Sequence, residues 1–174
     1  MNNIQIDLDK RISEYVNKNT IEKIDINKYI NDIVINALNL NNIVVNTIYI
    51  SIQSASRDEI RKLNFEYRNI DRATDVLSFP IFDRNEIENL KKIEENKKFR
   101  ELELGDIILC LDIIKEQSIE YKTGLLREIL YMITHGVCHL LGYDHIEEED
   151  KKKMRMIEEE ILSNLGVFKS DEKK

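Results

Sequence analysis

Tryptophan is absent from this chain, proline occurs once and glycine five times in 174 residues. A sequence so poor in proline and glycine is neither a collagen-like repeat nor a low-complexity linker. The only cysteines, Cys110 and Cys138, are too few for a disulfide framework, and their apolar neighbours suggest reduced core residues. No apolar run approaches the length of a membrane span, and the start Met1-Asn2-Asn3-Ile4 lacks a basic-then-apolar export pattern. The expectation is a cytoplasmic protein with no membrane association. A positive balance is missing as well: 26 Lys and Arg stand against 33 Asp and Glu, a net charge of −7. That excludes a protein gripping nucleic acid by its overall charge, although the field inside a cleft is a separate quantity.

What is present fits a soluble globular chain, with 42% hydrophobic and 34% charged residues. Neither an internal repeat nor a linker is visible, which predicts one domain over residues 1–174. Residues 4–8 alternate and predict a strand. Asp25 can cap a helix over 25–39, with Asn41-Asn42 as the turn after it and a β-branched strand over 43–52. Ser56 and Glu59 form a capping-box pattern that predicts a short helix to about Asn64, followed by a loop over 65–72. Residues 75–79 predict a strand bounded by Pro80, the single proline. The charge-rich stretch 83–103 predicts a solvated loop or marginal helix within an insertion rather than a binding flap. Residues 105–111 predict a strand covered on both faces, and 112–121 a helix. Residues 124–141 are apolar nearly all round and predict a central, buried helix. In the last helix, 147–165, Met154, Ile157, Ile161 and Leu165 supply the buried stripe, while Glu158-Glu159-Glu160 reads as a solvated face. Gly166 can cap it, and the tail 169–174 is expected to fray. The sum is an α+β fold: a small mixed β-sheet of about four strands packed with helices.

The buried helix carries the chemistry. All three histidines of the chain, His135, His139 and His145, fall between positions 135 and 145. At about 100° per residue, His135 and His139 project from one helix face roughly 40° apart and can share one metal ion. Gly142 can end the helix, turn the chain back and bring in His145. Three neutral imidazoles leave one position of a tetrahedral Zn2+ open to water, as a catalytic site requires. The spacing equals that of the long zinc-protease signature, but Gly136 stands where those proteases carry their glutamate base. The blander alternative is three buried, hydrogen-bonded histidines; the third His and the Gly at matching offsets favour a metal. Glu128, seven residues before His135, lies about 10 Å along the axis and reads as structural. Asp144 can orient a ligand imidazole or cap the last helix with Glu147; the sequence leaves both open.

Three stretches together are similar to the YbeY family of metal-dependent endoribonucleases. They are Leu63 to Pro80 (reading LNFEYRNIDRATDVLSFP), Leu104-Gly105-Asp106-Ile107, and the histidine stretch ending Gly142-Tyr143-Asp144-His145. The resemblance implies an α/β domain with a small mixed sheet and a metal held by His135, His139 and His145. It also implies hydrolysis of single-stranded RNA, maturation of the 3′ end of small-subunit ribosomal RNA, and ribosome quality control. Small-subunit ribosomal proteins and an assembly GTPase are the implied partners. Arg68 stands where the family has a functional arginine, whose guanidinium suits a phosphate; the alternative is a structural salt bridge with Asp71 or Asp75. Asp106 is implied to contact a partner or the active-site rim; otherwise it is a turn residue. Cys138 departs from the aliphatic residue usual there and reads as a small buried hydrophobe, a thiolate ligand being the alternative. The insertion at 83–103 has no motif to anchor it.

Two rival functions follow from the same residues. A zinc peptidase is suggested by the ligand spacing, but with Gly136 it needs a carboxylate such as Glu66 as base. A ribosome assembly factor with a structural zinc would close the metal site with a fourth protein ligand such as Cys138.

Overall fold

The computed structural model describes residues 3–91 and 99–167. In chain order the elements are β1 (Asn3–Leu8), α1 (Lys10–Asn19), α2 (Ile26–Leu40), β2 (Val45–Ser54), α3 (Arg57–Arg68), β3 (Val76–Pro80), α4 (Arg84–Lys91), β4 (Phe99–Leu109), α5 (Leu111–Glu120), α6 (Leu125–Leu140) and α7 (Glu148–Asn164). The strands form one four-stranded sheet in the order β1-β2-β4-β3. β1, β2 and β4 run parallel, and β3 closes the edge antiparallel to β4. This is the mixed α+β sheet that the alternating segments predict.

One sheet face is apolar. Ile48, Ile50 and Ile52 of β2 and Leu102, Leu104 and Ile107 of β4 bury in the main core with α1, α2, α6 and α7. The opposite face carries Gln5, Asp7, Ser51, Glu103 and Asp106. β4 is therefore covered on both faces only toward its end, where Ile108 packs on a second small cluster with Ile60 and Leu77. α6 fulfils its pattern: Ile129, Leu130, Ile133, Val137, Cys138 and Leu140 are each 0% exposed. It packs against α2, α5, α7, β3 and β4, so the residues at its C-terminal end are held from several sides.

Four differences from the sequence expectations have local causes. α1 was not anticipated; Asp9 caps it by accepting from the Arg11 N–H at 2.9 Å, and only Ile12 and Val16 are buried in an otherwise polar helix. α3 continues through Phe65, Tyr67 and Arg68 where a loop was expected, and stops at Asn69, which takes the left-handed conformation with φ 57°. The capping box at Ser56 and Glu59 is formed as predicted. The charged insertion contains a true helix, α4, which buries Ile87 and Leu90, and β4 begins at Phe99 instead of Gly105. The remainder of that insertion and the tail expected to fray lie outside the described residues. Finally, Glu158 is 3% exposed, so the Glu158-Glu159-Glu160 run is not wholly a solvated face.

Gly105 is a positional necessity. Its φ is +127°, β2 and β4 shift register beside it, and a Cβ there would stand 2.1 Å from the Phe79 carbonyl oxygen of β3. The bulge it makes increases local twist where the edge strand joins.

Candidate metal centre

α6 ends in a Schellman turn. The Tyr143 N–H donates to the Cys138 carbonyl and the Gly142 N–H to the His139 carbonyl, both at 3.0 Å, with Gly142 at φ +80°. The chain reverses there and returns His145 beside the helix it has just left. Asp144 fixes this return by accepting from the His145 backbone N–H at 2.6 Å. Among the described residues it accepts no hydrogen bond from an imidazole, and it does not cap α7, whose N-cap is Glu147.

The result brings His135, His139 and His145 together: one ligand atom from each lies within 4.8 Å of the others. The Nε2 atoms of His135 and His139 are 3.0 Å apart. Each Nδ1 has an acceptor of its own. His135 Nδ1 lies 2.7 Å from Glu158 Oε1, and His139 Nδ1 lies 3.0 Å from the Tyr143 carbonyl oxygen. With a carboxylate and a carbonyl as partners, both Nδ1 atoms donate, and the two Nε2 atoms are the ones turned toward each other. Two ring nitrogens 3.0 Å apart can share a proton or lie on either side of one divalent ion. Burial, followed by the neighbouring His135 imidazole, holds His139 down at about 4, so it is neutral at physiological pH, as a metal ligand must be. The donor set thus fits a divalent ion that accepts imidazole nitrogen.

Glu158 is the residue that sequence reasoning missed. Its second oxygen, Oε2, accepts from the Tyr131 hydroxyl at 3.2 Å. Burial and the Glu158 carboxylate push the Tyr131 phenol upward, which keeps it a donor. The signal was available: Glu158 lies four residues after Met154 and three before Ile161, on the buried stripe of α7.

Gly136 faces the sheet. A Cβ built there would meet the Ile107 side chain at 2.7 to 3.0 Å. A glutamate at this position has no room, so the absent protease base reflects how closely α6 approaches β4. Cys138 lies in the hydrophobic core, its thiol pushed up by burial and then by Glu158, and it is not among the converging ligand atoms. Glu128 is buried against Arg127, 3.3 Å away, in the structural role expected of it.

A cleft of about 390 Å3 opens beside the histidines, lined among others by Arg68, Ser78, Arg84, His139, Tyr143 and His145. Arg68, on the last turn of α3, donates from Nη2 to the Ser78 carbonyl at 3.4 Å. It makes no ion pair among the described residues. Asp71 is engaged by Arg61 through two contacts of 2.6 and 2.8 Å, and Asp75 accepts from Gln117 at 2.8 Å. Arg84 is bound to Asp150 by two contacts of 3.0 Å. Asp106 does not line this cleft; it lies on the polar sheet face, in a recess of about 580 Å3 with Asp7, Tyr49 and Glu103.

Comparison with known proteins gives a consistent picture. The family model described as endoribonuclease YbeY matches residues 11–166. A Clostridium botulinum (strain Eklund 17B) protein named endoribonuclease YbeY is 50% identical over 125 residues, covering 68% of this chain and 75% of that one. A Clostridium perfringens (strain ATCC 13124) protein of the same name is 48% identical over 125 residues, covering 68% and 74%. Among solved structures, the solution structure of TM1509 from Thermotoga maritima is similar at a TM-score of 0.51 and 25% identity, covering 98% of this chain and 99% of that one.

Proposed function

Because the chain belongs to the endoribonuclease YbeY family, we propose that it is a metal-dependent hydrolase cutting single-stranded RNA, its metal a single zinc ion held by His135, His139 and His145. Its substrate in this reading is ribosomal RNA, in 3′-end maturation of the small-subunit RNA and in ribosome quality control, in the cytoplasm. The observation that carries the reading is the convergence of three imidazoles, two of them with Nε2 atoms 3.0 Å apart, beside a cleft that holds an arginine free of ion pairing among the described residues.

Zinc bound to this set supplies Lewis acidity and activates water near neutral pH. The protein's own groups do the rest. Glu158 and the Tyr143 carbonyl fix the two helical imidazoles in the tautomer that leaves Nε2 bare. Arg68 is the catalytic contact to the phosphodiester: its planar fork matches phosphate oxygens in two places and balances charge as the phosphorus gains an oxygen. The apolar body of α6 holds both imidazoles in place from behind. Residues 1–174 act as a single domain in this reading. Asp106 and its acidic neighbours on the outer sheet face serve as the contact for basic small-subunit ribosomal proteins, with an assembly GTPase as a further partner.

The peptidase alternative needs a carboxylate such as Glu66 as base, and Glu66, exposed on α3, is not among the residues that line the histidine cleft. The assembly-factor alternative is separated by experiment. Purified protein is analysed for metals and incubated with a defined single-stranded RNA and with a peptide library. Zinc at one ion per chain and cleavage of RNA alone are expected. His135→Ala, His139→Ala and His145→Ala should each lose most of the metal, whereas Arg68→Ala should keep it and lose cleavage by 100-fold or more, roughly the scale of removing one charge-stabilising donor. Metal retained in all three histidine variants, or full cleavage by Arg68→Ala, overturns the assignment of those residues. Metal without cleavage favours the assembly factor.

A further inference from the structure

β3 walls one side of the histidine cleft, and its register fixes what each residue of that wall presents. The Asp75 carbonyl accepts from the Cys110 N–H at 2.8 Å, and the Ile81 N–H donates to the Leu104 carbonyl at 3.2 Å. In an antiparallel pair such bonds fall on alternate residues, so Leu77 and Phe79 also turn their backbone groups toward β4. Ser78, between them, turns its own to the open edge, where its carbonyl accepts from Arg68 Nη2 at 3.4 Å. Side chains alternate too. Leu77 and Phe79 pack on the small cluster with Ile60, whereas Val76 belongs to the main core with α6. Ser78 therefore sends its side chain to the α6 side, opposite Ile107 in register. In a pair of this kind the two Cα atoms are only about 4.5 Å apart. Ile107 is the residue that meets Gly136, one position after His135. Ser78 thus stands beside the crossing of α6 over the sheet, and it lines the cleft with Arg68, His139 and His145.

Ser78 is 7% exposed, and its hydroxyl has no hydrogen-bond partner among the described residues. A buried hydroxyl left unmet is unfavourable, and a methyl group in its place would avoid that cost. Such groups are few in a folded protein, and each calls for a reason. Gln117, Thr123 and Arg127 are the other described residues with a buried side-chain atom of this kind, and they surround a different recess. Of that set Ser78 alone borders the histidine cleft. A serine hydroxyl changes direction by one χ1 rotation, so it can swing from its buried position into the cleft when an acceptor arrives there. Arg68 stands at the carbonyl of the same residue, so an anionic oxygen drawn to the guanidinium comes beside this hydroxyl.

We propose that the Ser78 hydroxyl is a second catalytic contact, donating to a non-bridging oxygen of the scissile phosphate alongside Arg68. The contact rests on the ribonuclease reading and adds a residue to it. Hydrolysis places a water oxygen on phosphorus and releases the leaving oxygen with a proton. Ser78 forms no covalent bond in this step and keeps its own proton. Its hydrogen bond strengthens as charge gathers on the non-bridging oxygens in the transition state.

Ser78→Ala removes the donor and the burden of burying it together. The variant should keep one zinc per chain and melt at or above the temperature of the unaltered protein. Its kcat on a defined single-stranded RNA should fall about 100-fold, with KM changed far less. A hydroxyl with only a structural place gives unchanged cleavage, or cleavage lost together with zinc or stability; either result overturns the contact. Sulfur in place of one non-bridging oxygen at the scissile phosphate supplies a second readout, because sulfur accepts hydrogen bonds poorly. The unaltered protein should cut one of the two phosphorothioate diastereomers more slowly than all-oxygen RNA, and that difference should shrink in Ser78→Ala. Sulfur effects of equal size in both proteins overturn the contact and leave the ribonuclease reading standing. Failure of the zinc-loaded, unaltered protein to cut any RNA overturns that reading, and the contact with it.

Discussion

Glu158 shows what a single residue contributes when its surroundings are considered. A carboxylate that is 3% exposed is costly to bury unless its oxygens are met. Here both are met, one by His135 Nδ1 at 2.7 Å and the other by the Tyr131 hydroxyl at 3.2 Å. The arrangement holds the imidazole ring in one orientation and raises its basicity toward a metal. Glu158→Ala is therefore expected to weaken zinc affinity by about 10- to 100-fold, with Glu158→Gln falling between it and the unaltered protein because the amide oxygen still accepts. Competition against a chromophoric chelator measures this without reference to cleavage. Unchanged affinity in Glu158→Ala would show that His135 needs no carboxylate to bind. The sequence made the histidines legible because their spacing is local. Glu158 was hidden by its two acidic neighbours, even though the phase of the α7 stripe passes through it.

At the scale of elements, the decisive contact is α6 on β4. Gly136 has no Cβ because Ile107 occupies that space, with Ile107 Cδ1 2.7 Å from the position a Cβ would take. Helix propensity favours alanine over glycine by about 1 kcal/mol, whereas overpacking a core commonly costs about 1–3 kcal/mol. Gly136→Ala is expected to be destabilising on balance. Ile107→Val removes the nearest atom, so the same Gly136→Ala change should cost less in that background. Denaturant unfolding of the four proteins in the cycle gives the coupling, expected at about 0.5 kcal/mol or more. Additive costs would mean that α6 shifts away from β4 instead of pressing on Ile107. Elements whose pattern is dense were readable in advance: α6 from its apolar surface, α3 from its capping box, β3 from its alternation. α1 was not, because two buried residues on a polar ten-residue helix leave almost no period. The last turn of α3 was missed for a related reason. Phe65 and Tyr67 are aromatic residues on an exposed surface, which breaks the amphipathic pattern there.

For the whole molecule, the order β1-β2-β4-β3 depends on contacts between distant segments, which no local pattern specifies. The candidate metal centre depends on that assembly. It draws His135 and His139 from α6, His145 from the return after Gly142, and Glu158 from α7, while Arg84 of α4 ties Asp150 of α7 near the same cleft. An ion that binds this gathered set and not the unfolded chain stabilises the folded state by mass action, by about 2.7 kcal/mol when free metal is 100 times its dissociation constant. For a domain of this size, about 1 kcal/mol moves the melting temperature by roughly 2–4 °C. Chelation with excess EDTA should therefore lower the melting temperature by about 5–10 °C, and readdition of zinc should restore it. His145→Ala, which removes an exposed ligand from a turn that carries little of the core, should melt close to the chelated protein and show a much smaller response to EDTA. A melting temperature indifferent to EDTA in the unaltered protein, with metal shown to have left, would mean that the three imidazoles are held by packing alone and that the ion contributes nothing to the fold.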